Sequence, residues 1–128
     1  MITFQMRNER GTHPLSEHQT YVALVDYRQR DRFPMLGHID PFGTTIFNRL
    51  QVDALSLELQ TIKNLVERIG VEAAVVELGT TPEHLGADES NYGRWNPVMD
   101  LLPLVEILLD VCVRVRERPH RLLWFVGD

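Results

Sequence analysis

Apolar residues recur at helical spacing in two segments of the second half of the chain. The first stripe consists of Leu55, Leu59, Ile62, Val66 and Ile69. Because these residues step by four and three, they predict one apolar face of an amphipathic helix, with polar residues such as Glu58 off that face. Asp53 is the expected N-cap of this helix and Gly70 its expected end.

The second stripe predicts another helix further along the chain. It consists of Leu101, Leu104, Val105, Leu108, Cys112 and Val115. Asn96-Pro97 is typical of a helix start. Pro103, however, fits a helix only in its first turn, which places the start near Leu102. The arginines that precede Pro119 interact favourably with the negative, C-terminal end of the helix dipole, and Pro119 is expected to end the helix.

Alternating and continuous apolar runs predict strands near both ends of the chain. Residues 2–7 alternate apolar and polar side chains, as in a half-buried strand. Residues 21–28 are rich in β-forming residues and predict a second strand, antiparallel to the first, after a loop at 10–19. Residues 122–126 are apolar on both faces, which predicts a strand in the centre of the sheet.

The pattern leaves several segments open. Residues 35–39 fit a short third strand, followed by an Asp-Pro-Phe-Gly turn in which Gly43 is free to take a positive φ. Residues 44–51 mix both periods. Residues 71–78 fit either a continued helix or a short strand, and residues 79–97 form an unusually long loop.

The expected order of elements is therefore β-β-(β)-α-α-β. Strands grouped around two helices indicate an α+β fold, in which a small, mostly antiparallel sheet of about three or four strands carries two antiparallel helices on one face. The length of 128 residues suits a single domain that covers residues 1–128.

Charge is unevenly distributed along the chain. The net charge is −5, but residues 53–110 hold eleven acids and three bases, a balance of −8, whereas the flanks hold ten bases and seven acids, a balance of +3. The pI of about 5.5 argues against nucleic acid as a partner, because nucleic-acid-binding domains are usually basic. The arginines between Arg114 and Arg121 are interpreted as a helix C-terminal cap.

Several kinds of site and location are not expected. The apolar stretches are too short or too interrupted for a membrane span or a secretion signal, so we expect a cytoplasmic protein that binds no membrane. Cys112 lies in an apolar run and is expected to be a buried, inert thiol. The five histidines lack metal-ligand spacing, and no nucleophile elbow or phosphate-binding loop is present. We therefore expect no metal, no cofactor and no enzymatic activity.

The acidic middle of the chain is the candidate partner surface. Its members are Glu72, Glu77, Glu83, Asp88, Glu89, Tyr92, Arg94 and Trp95. Tyr, Trp and Arg dominate the centres of interfaces, and acids steer a basic partner, so we expect a non-enzymatic protein-binding protein. An alternative is a solvated loop whose Trp95 folds back onto the core.

Two other functions remain open. One is a small-ligand binder or enzyme with a site at His38, Asp40, Asn48 and Arg49, where polar groups follow a tight turn. The other is a homodimeric structural module that associates through the long loop or a strand edge. The oligomeric state is accordingly expected to be either monomer or homodimer.

Residues 38–51 and 122–128 carry a resemblance to a group of proteins. They contain an Asp-Pro-aromatic-Gly turn, an aromatic-Asn-x-x-Gln segment and a strand that ends in Gly-Asp. In these features the chain resembles small uncharacterised bacterial proteins over about its last two thirds. Relative to the pattern of those proteins, residues 79–97 look like an insertion. The shared residues are Asp40, Phe42, Gly43, Phe47, Asn48 and Gln51.

Some small acidic proteins of this type look like immunity proteins that neutralise toxins. The resemblance thus implies an immunity-type inhibitor of a basic toxin. Asp40 and Asn48 also fit a structural role, in which they lock the turn through hydrogen bonds to the backbone.

Overall fold

The computed structural model describes residues 2–9, 14–20, 25, 27–40, 42–80 and 96–127. The described elements are β1 (Ile2–Asn8), β2 (Ser16–Thr20), a short 3-10 helix (Tyr27–Gln29), α1 (Pro34–His38), β3 (Thr44–Phe47), α2 (Arg49–Ile69), α3 (Val71–Leu78), α4 (Pro97–Glu117) and β4 (Arg121–Gly127). The fold is α+β, as the sequence predicts.

Within the described residues, the sheet has four antiparallel strands in the order β2-β1-β4-β3. β1 and β4 pair along their whole length, from Ile2 opposite Gly127 to Asn8 opposite Arg121. β4 therefore lies inside the sheet, which confirms the position predicted from its two apolar faces.

The second strand lies earlier in the chain than the sequence predicts. The loop expected at 10–19 is wrong over residues 16–19, which belong to β2, and the strand expected at 21–28 is wrong at residues 27 and 28, which lie in a 3-10 helix. Polar side chains conceal β2, since an edge strand is held by backbone pairing to β1 and needs no apolar face. β1 has an antiparallel partner, as expected of the first strand, but that partner is residues 16–20 and not the predicted 21–28. Residues 21–24 and 26 lie outside the described ranges.

One face of the sheet, the inner face, carries the hydrophobic core. Phe4, Phe47 and Phe125 project from neighbouring strands on this face and are at most 2% exposed. The ring centroid of Phe125 lies 6.0 Å from that of Phe4 and 5.6 Å from that of Phe47. His18 of β2 stacks on Phe4 at 5.2 Å, so aromatic contacts continue to the polar edge strand.

α2 and α4 share the core with the inner face and run antiparallel to each other. Two ion pairs define their direction, because Asp53 lies 3.4 Å from Arg116, and Lys63, further along α2, lies 3.9 Å from Glu106, further back along α4. The predicted pair of antiparallel helices on one face is confirmed. The described helices include none with the length and apolarity that a membrane crossing requires.

α2 begins about one turn earlier than predicted. The Asn48 side chain accepts a hydrogen bond from the Gln51 backbone N–H (3.0 Å), and the Gln51 side chain accepts one from the Asn48 N–H (2.9 Å). This capping box makes Asn48 the N-cap, so the prediction of Asp53 as the cap is wrong. Gly70 ends α2 as predicted, with a φ of 88°, and residues 71–78 then form the helix α3.

α4 begins at Pro97 and continues through Pro103. Asn96 caps this start, since its side chain accepts a hydrogen bond from the Met99 N–H at 3.4 Å. The predicted start near Leu102 is therefore wrong. Pro103 is exposed, so the helix loses one backbone hydrogen bond on its solvent side, where helices tolerate distortion best.

Residues 34–38 form the helix α1, and the short strand expected at 35–39 is wrong. Pro34 occupies the first helical turn, where its fixed φ suits a helix. Glu58 of α2 accepts hydrogen bonds from the Met35 and Leu36 N–H groups at 2.9–3.1 Å. A contact from a distant helix thus stabilises α1.

The turn after α1 favours glycine at position 43 because the Asp40 side chain approaches this position closely. A Cβ atom on Gly43 would lie 2.5 Å from Asp40 Oδ2. The positive-φ glycines of the described residues are Gly70 and Gly79, so the expected positive φ at Gly43 is wrong. Asp40 therefore determines which residue fits at position 43.

Candidate functional site

The structure describes the candidate partner surface only at one end. Glu72 and Glu77 lie on α3, and both are exposed. Glu83, Asp88, Glu89, Tyr92, Arg94 and Trp95 lie outside the described residues. The same holds for most of the predicted long loop, of which Gly79 and Thr80 follow α3 and Asn96 caps α4.

The exposed side of α3 places an apolar centre between two acids. The residues on this side, in order around the helix axis at about 100° per residue, are Glu72, Val76, Ala73 and Glu77. Val76 is 67% exposed. The residues on the opposite side, Ala74, Val75 and Leu78, are buried in the core. Val76 is thus a small apolar contact point with a charged rim, an arrangement that protein interfaces show on a larger scale.

Arginines from the basic flanks neutralise part of the acidic segment. A side-chain nitrogen of Arg32 lies 3.0 Å from Glu77, and one of Arg114 lies 3.1 Å from Asp110. Such exposed pairs contribute at most about 1 kcal/mol to stability, but they reduce the local net charge. Glu72 makes no ion pair within the described part of the chain, so no described cation neutralises it on the surface of α3.

An open cleft of about 380 Å³ beside α1 contains part of the alternative site. The cleft is lined by Arg30, Pro34, Gly37, His38, Ile39 and Asp40. His38 and Asp40 therefore share one concave surface, whereas Asn48 and Arg49 are not part of its lining. Gly37 allows the Arg30 side chain to approach, because a Cβ atom there would lie 2.7 Å from Arg30 Cγ.

Asp40 and Asn48 bind the backbone, which confirms their structural interpretation. Asp40 Oδ1 accepts a hydrogen bond from the Phe42 N–H at 2.8 Å, and Asn48 forms the capping box of α2. Arg49 is exposed in the first turn of that helix. Since the Asp40 carboxylate is committed to its turn, the exposed His38 imidazole is the freer polar group of the cleft.

Glu58 is the polar residue that the sequence analysis placed wrongly. It is only 9% exposed, and it is enclosed between α2 and α1. Burial raises the pKa of its carboxyl above the ordinary value of 4.5, while the backbone hydrogen bonds from Leu36 and Met35 act in the opposite direction. The available signal was its spacing, because Glu58 lies three residues after Leu55 and four before Ile62, on the buried stripe.

The remaining groups to consider among the described residues are the Cys112 thiol, possible metal ligands and the arginines at the end of α4. Burial raises the pKa of the Cys112 thiol to about 12, which supports the expectation of an inert thiol. Over the described ranges, no three His, Cys, Asp or Glu residues are grouped so that they could hold a metal ion. The Arg121 guanidinium donates to the Arg114 carbonyl at the end of α4 (2.6 Å), as the capping interpretation predicts.

Comparison of the chain with protein-family models, with curated proteins and with solved structures finds no match. The resemblance to small bacterial proteins therefore stays a prediction. Function is inferred from the residues and the geometry of the chain itself.

Proposed function

We propose that this chain is a non-enzymatic binding protein, an immunity-type inhibitor that covers a basic protein partner with an acidic surface that includes α3. The observation that carries the proposal is the exposed Val76 between Glu72 and Glu77. A partner that covers this valine removes apolar surface from water, and the acids beside it attract cationic side chains.

The attachment of α3 to the fold favours binding at this surface. Gln29 donates a hydrogen bond to the Glu77 carbonyl at 3.1 Å, Arg32 pairs with the Glu77 carboxylate, and Leu78 is fully buried. A surface that is already ordered loses less conformational entropy when a partner binds.

The chemistry of the partner follows from this surface. A cationic patch beside a small apolar contact complements Glu72 and Val76, whereas a nucleic-acid phosphate would be repelled by the acids. The resemblance to small immunity-like proteins supports a toxin as the class of partner. An inhibitor of this kind acts by steric coverage, so it needs no catalytic group.

Affinity capture from the native host tests the α3 surface with matched variants. The double variant E72R/V76R reverses charge and removes the apolar contact, and V113R is the control, because Val113 is a 47% exposed valine on α4. We expect a basic protein to be retained by the wild type and by V113R, to be lost with E72R/V76R, and to bind more weakly as salt is raised. Equal capture by all three proteins, or no capture by the wild type, would overturn the proposal.

The toxin assignment has its own test in the neighbouring genes. We expect a gene beside this one to encode a basic protein that stops growth when expressed alone and is tolerated when this chain is co-expressed. Toxicity that this chain does not relieve would refute the immunity role, even if a basic partner binds.

A second candidate function is binding of a small molecule in the cleft beside α1, favoured by the joint placement of His38 and Asp40 on its wall. Arg30 adds a guanidinium, so carboxylate-bearing metabolites are the first ligands to test. We expect such a ligand to raise the melting temperature of the wild type and to have no effect on His38→Ala. The absence of a shift across a carboxylate library would exclude this function.

A further inference from the structure

The outer face of the sheet, opposite the core, carries an apolar stripe. Alternation along β4 places Leu122, Trp124 and Val126 on this face, because Leu123 and Phe125 between them are buried in the core. In a sheet with one solvated face, outward positions are normally polar. β4 departs from that rule at three successive outward positions.

The strand register extends this stripe across the sheet. One row across β2, β1, β4 and β3 consists of Glu17, Gln5, Trp124 and Ile46. Ile46, on the edge strand β3, is 43% exposed. Arg7 lies opposite Leu122, and its guanidinium carbon is 4.5 Å from the centre of the Trp124 ring. The face is thus apolar towards β3 and polar towards β2.

The polar half of this face holds one cation and one anion in fixed positions. Arg7 Nε donates to Gln5 Oε1 at 2.8 Å, and Gln5 Nε2 donates to Glu17 Oε2 at 2.7 Å. Beside them, the buried Nε1 of Trp124 has no acceptor among the described residues. An indole N–H that is buried without an acceptor costs free energy, so this row of the sheet is not fully satisfied within the described residues.

We propose that the outer face, defined by Arg7, Glu17, Ile46, Leu122, Trp124 and Val126, is the interface of a homodimer in which two copies of the chain pack face to face. The charges select a second copy as the occupant. A partner of one sign would gain at Arg7 or at Glu17 and lose at the other, whereas a second copy presents both charges and can satisfy both. This surface is separate from the side of α3 that carries the proposed function.

A two-fold axis that runs perpendicular to the strands, along the row that contains Trp124, generates such a dimer. It stacks Leu122 of each copy over Val126 of the other, with the sheets about 10 Å apart. The same axis sets the two Glu17 residues opposite each other and brings Arg7 of each copy to a position one strand and one row away from the other copy's Glu17, so the two arginines offset the repulsion between the carboxylates. Both long side chains reach across such a gap, so the dimer gains two symmetric ion pairs.

Sedimentation velocity over a concentration series tests the apolar part of the interface. Ile46→Lys introduces a charge into the outer face, and Val113→Lys is the matched control on α4, with 47% exposure against 43%. We expect a dimer for the wild type and for Val113→Lys, and dimerisation weakened about tenfold or more for Ile46→Lys. A wild-type protein that stays monomeric at the highest concentration, or a dimer that Ile46→Lys leaves intact, would overturn the proposal.

Charge reversal tests the register and needs no apolar substitution. R7E and E17R each place like charges opposite one another in a homodimer, so each alone should dimerise more weakly than the wild type. An equimolar mixture of the two variants restores both ion pairs, and we expect a heterodimer in native mass spectrometry. Circular dichroism of each variant checks that it is folded. If the folded variants dimerise normally when alone, or fail to associate when mixed, this two-fold register is wrong.

Discussion

Replacing Glu58 by alanine is expected to destabilise the fold by about 2–4 kcal/mol. The variant removes the acceptor of the Met35 and Leu36 N–H groups, which Glu58 binds at 2.9–3.1 Å. A buried N–H without a partner costs about 1–3 kcal/mol. Two N–H groups that each lose their partner determine the upper end of the expected loss of stability. The loss is reduced because the variant also removes a desolvated carboxylate, and because water can reach the half-buried Met35.

The pH dependence separates the charge of Glu58 from its hydrogen bonds. Because its folded-state pKa is raised above 4.5, the folded state binds the proton more tightly than the unfolded state. The resulting stabilisation is fully present below pH 4.5 and is lost as the pH rises through the folded-state pKa. Glu58→Gln keeps an acceptor and cannot titrate, so the stability of the wild type relative to Glu58→Gln should fall as the pH rises above 4.5.

Urea unfolding followed by circular dichroism measures both effects. The control is Glu67→Gln, an exposed position on the same helix, which should change stability by less than about 0.5 kcal/mol at every pH. A difference between the wild type and Glu58→Gln that is constant with pH, or that rises with pH, would refute the argument from burial. A loss of less than about 0.5 kcal/mol in Glu58→Ala would refute the argument from hydrogen bonds.

Three further predictions concern the turn, the cap and the thiol. Asn48→Ala should lose about 1 kcal/mol in urea unfolding, because it breaks the capping box of α2, whereas Asn48→Ser should retain most of the stability. Gly43→Ala should destabilise the wild type by about 1 kcal/mol and the Asp40→Ala background by clearly less, since the added Cβ meets the Asp40 carboxylate; equal losses would contradict this contact. Cys112 should react with a thiol reagent only when the protein unfolds, because its pKa is about 12, and fast labelling of the native protein would contradict its burial.

The long helices were predictable because burial of one face imposes a period on the sequence. The stripe from Leu55 to Ile69 marks α2, and that from Leu101 to Val115 marks α4. The ends were harder to place, since caps depend on single side chains. Asn48 was concealed in a segment that mixes both periods, and the position of Pro103 argued against the true start of α4.

Elements that depend on tertiary contacts could not be predicted locally. α1 has only five residues, too few for a stable isolated helix, and its N-terminus is completed by Glu58, more than 20 residues away. β2 forms because β1 offers a backbone to pair with, whatever its own side chains are. The residues of α1 and of β2 alone reveal neither the contact with Glu58 nor the pairing with β1.

The candidate site divides in the same way. The exposure of Glu72 and Glu77 follows from the amphipathic pattern of α3, but the pairing of Glu77 with Arg32 joins residues 45 positions apart. The net charge of residues 53–110 does not include arginines from outside the segment, such as Arg32, that the fold brings to its acids. The cleft beside α1 likewise exists only once α1 has formed.

The pairing of β1 with β4 has a consequence for the folding rate. Ile2 and Gly127 are 125 positions apart and pair at one end of the two central strands. The entropy of closing almost the entire chain must therefore be overcome before this pair forms. Sequence-distant pairing of this kind slows folding. During synthesis, β1 and β2 leave the ribosome long before β4, so the edge of β1 that pairs with β4 stays unpaired until β4 emerges. Refolding should therefore be limited by β4 docking, and the chain is most exposed to aggregation while this one edge of β1 is unpaired.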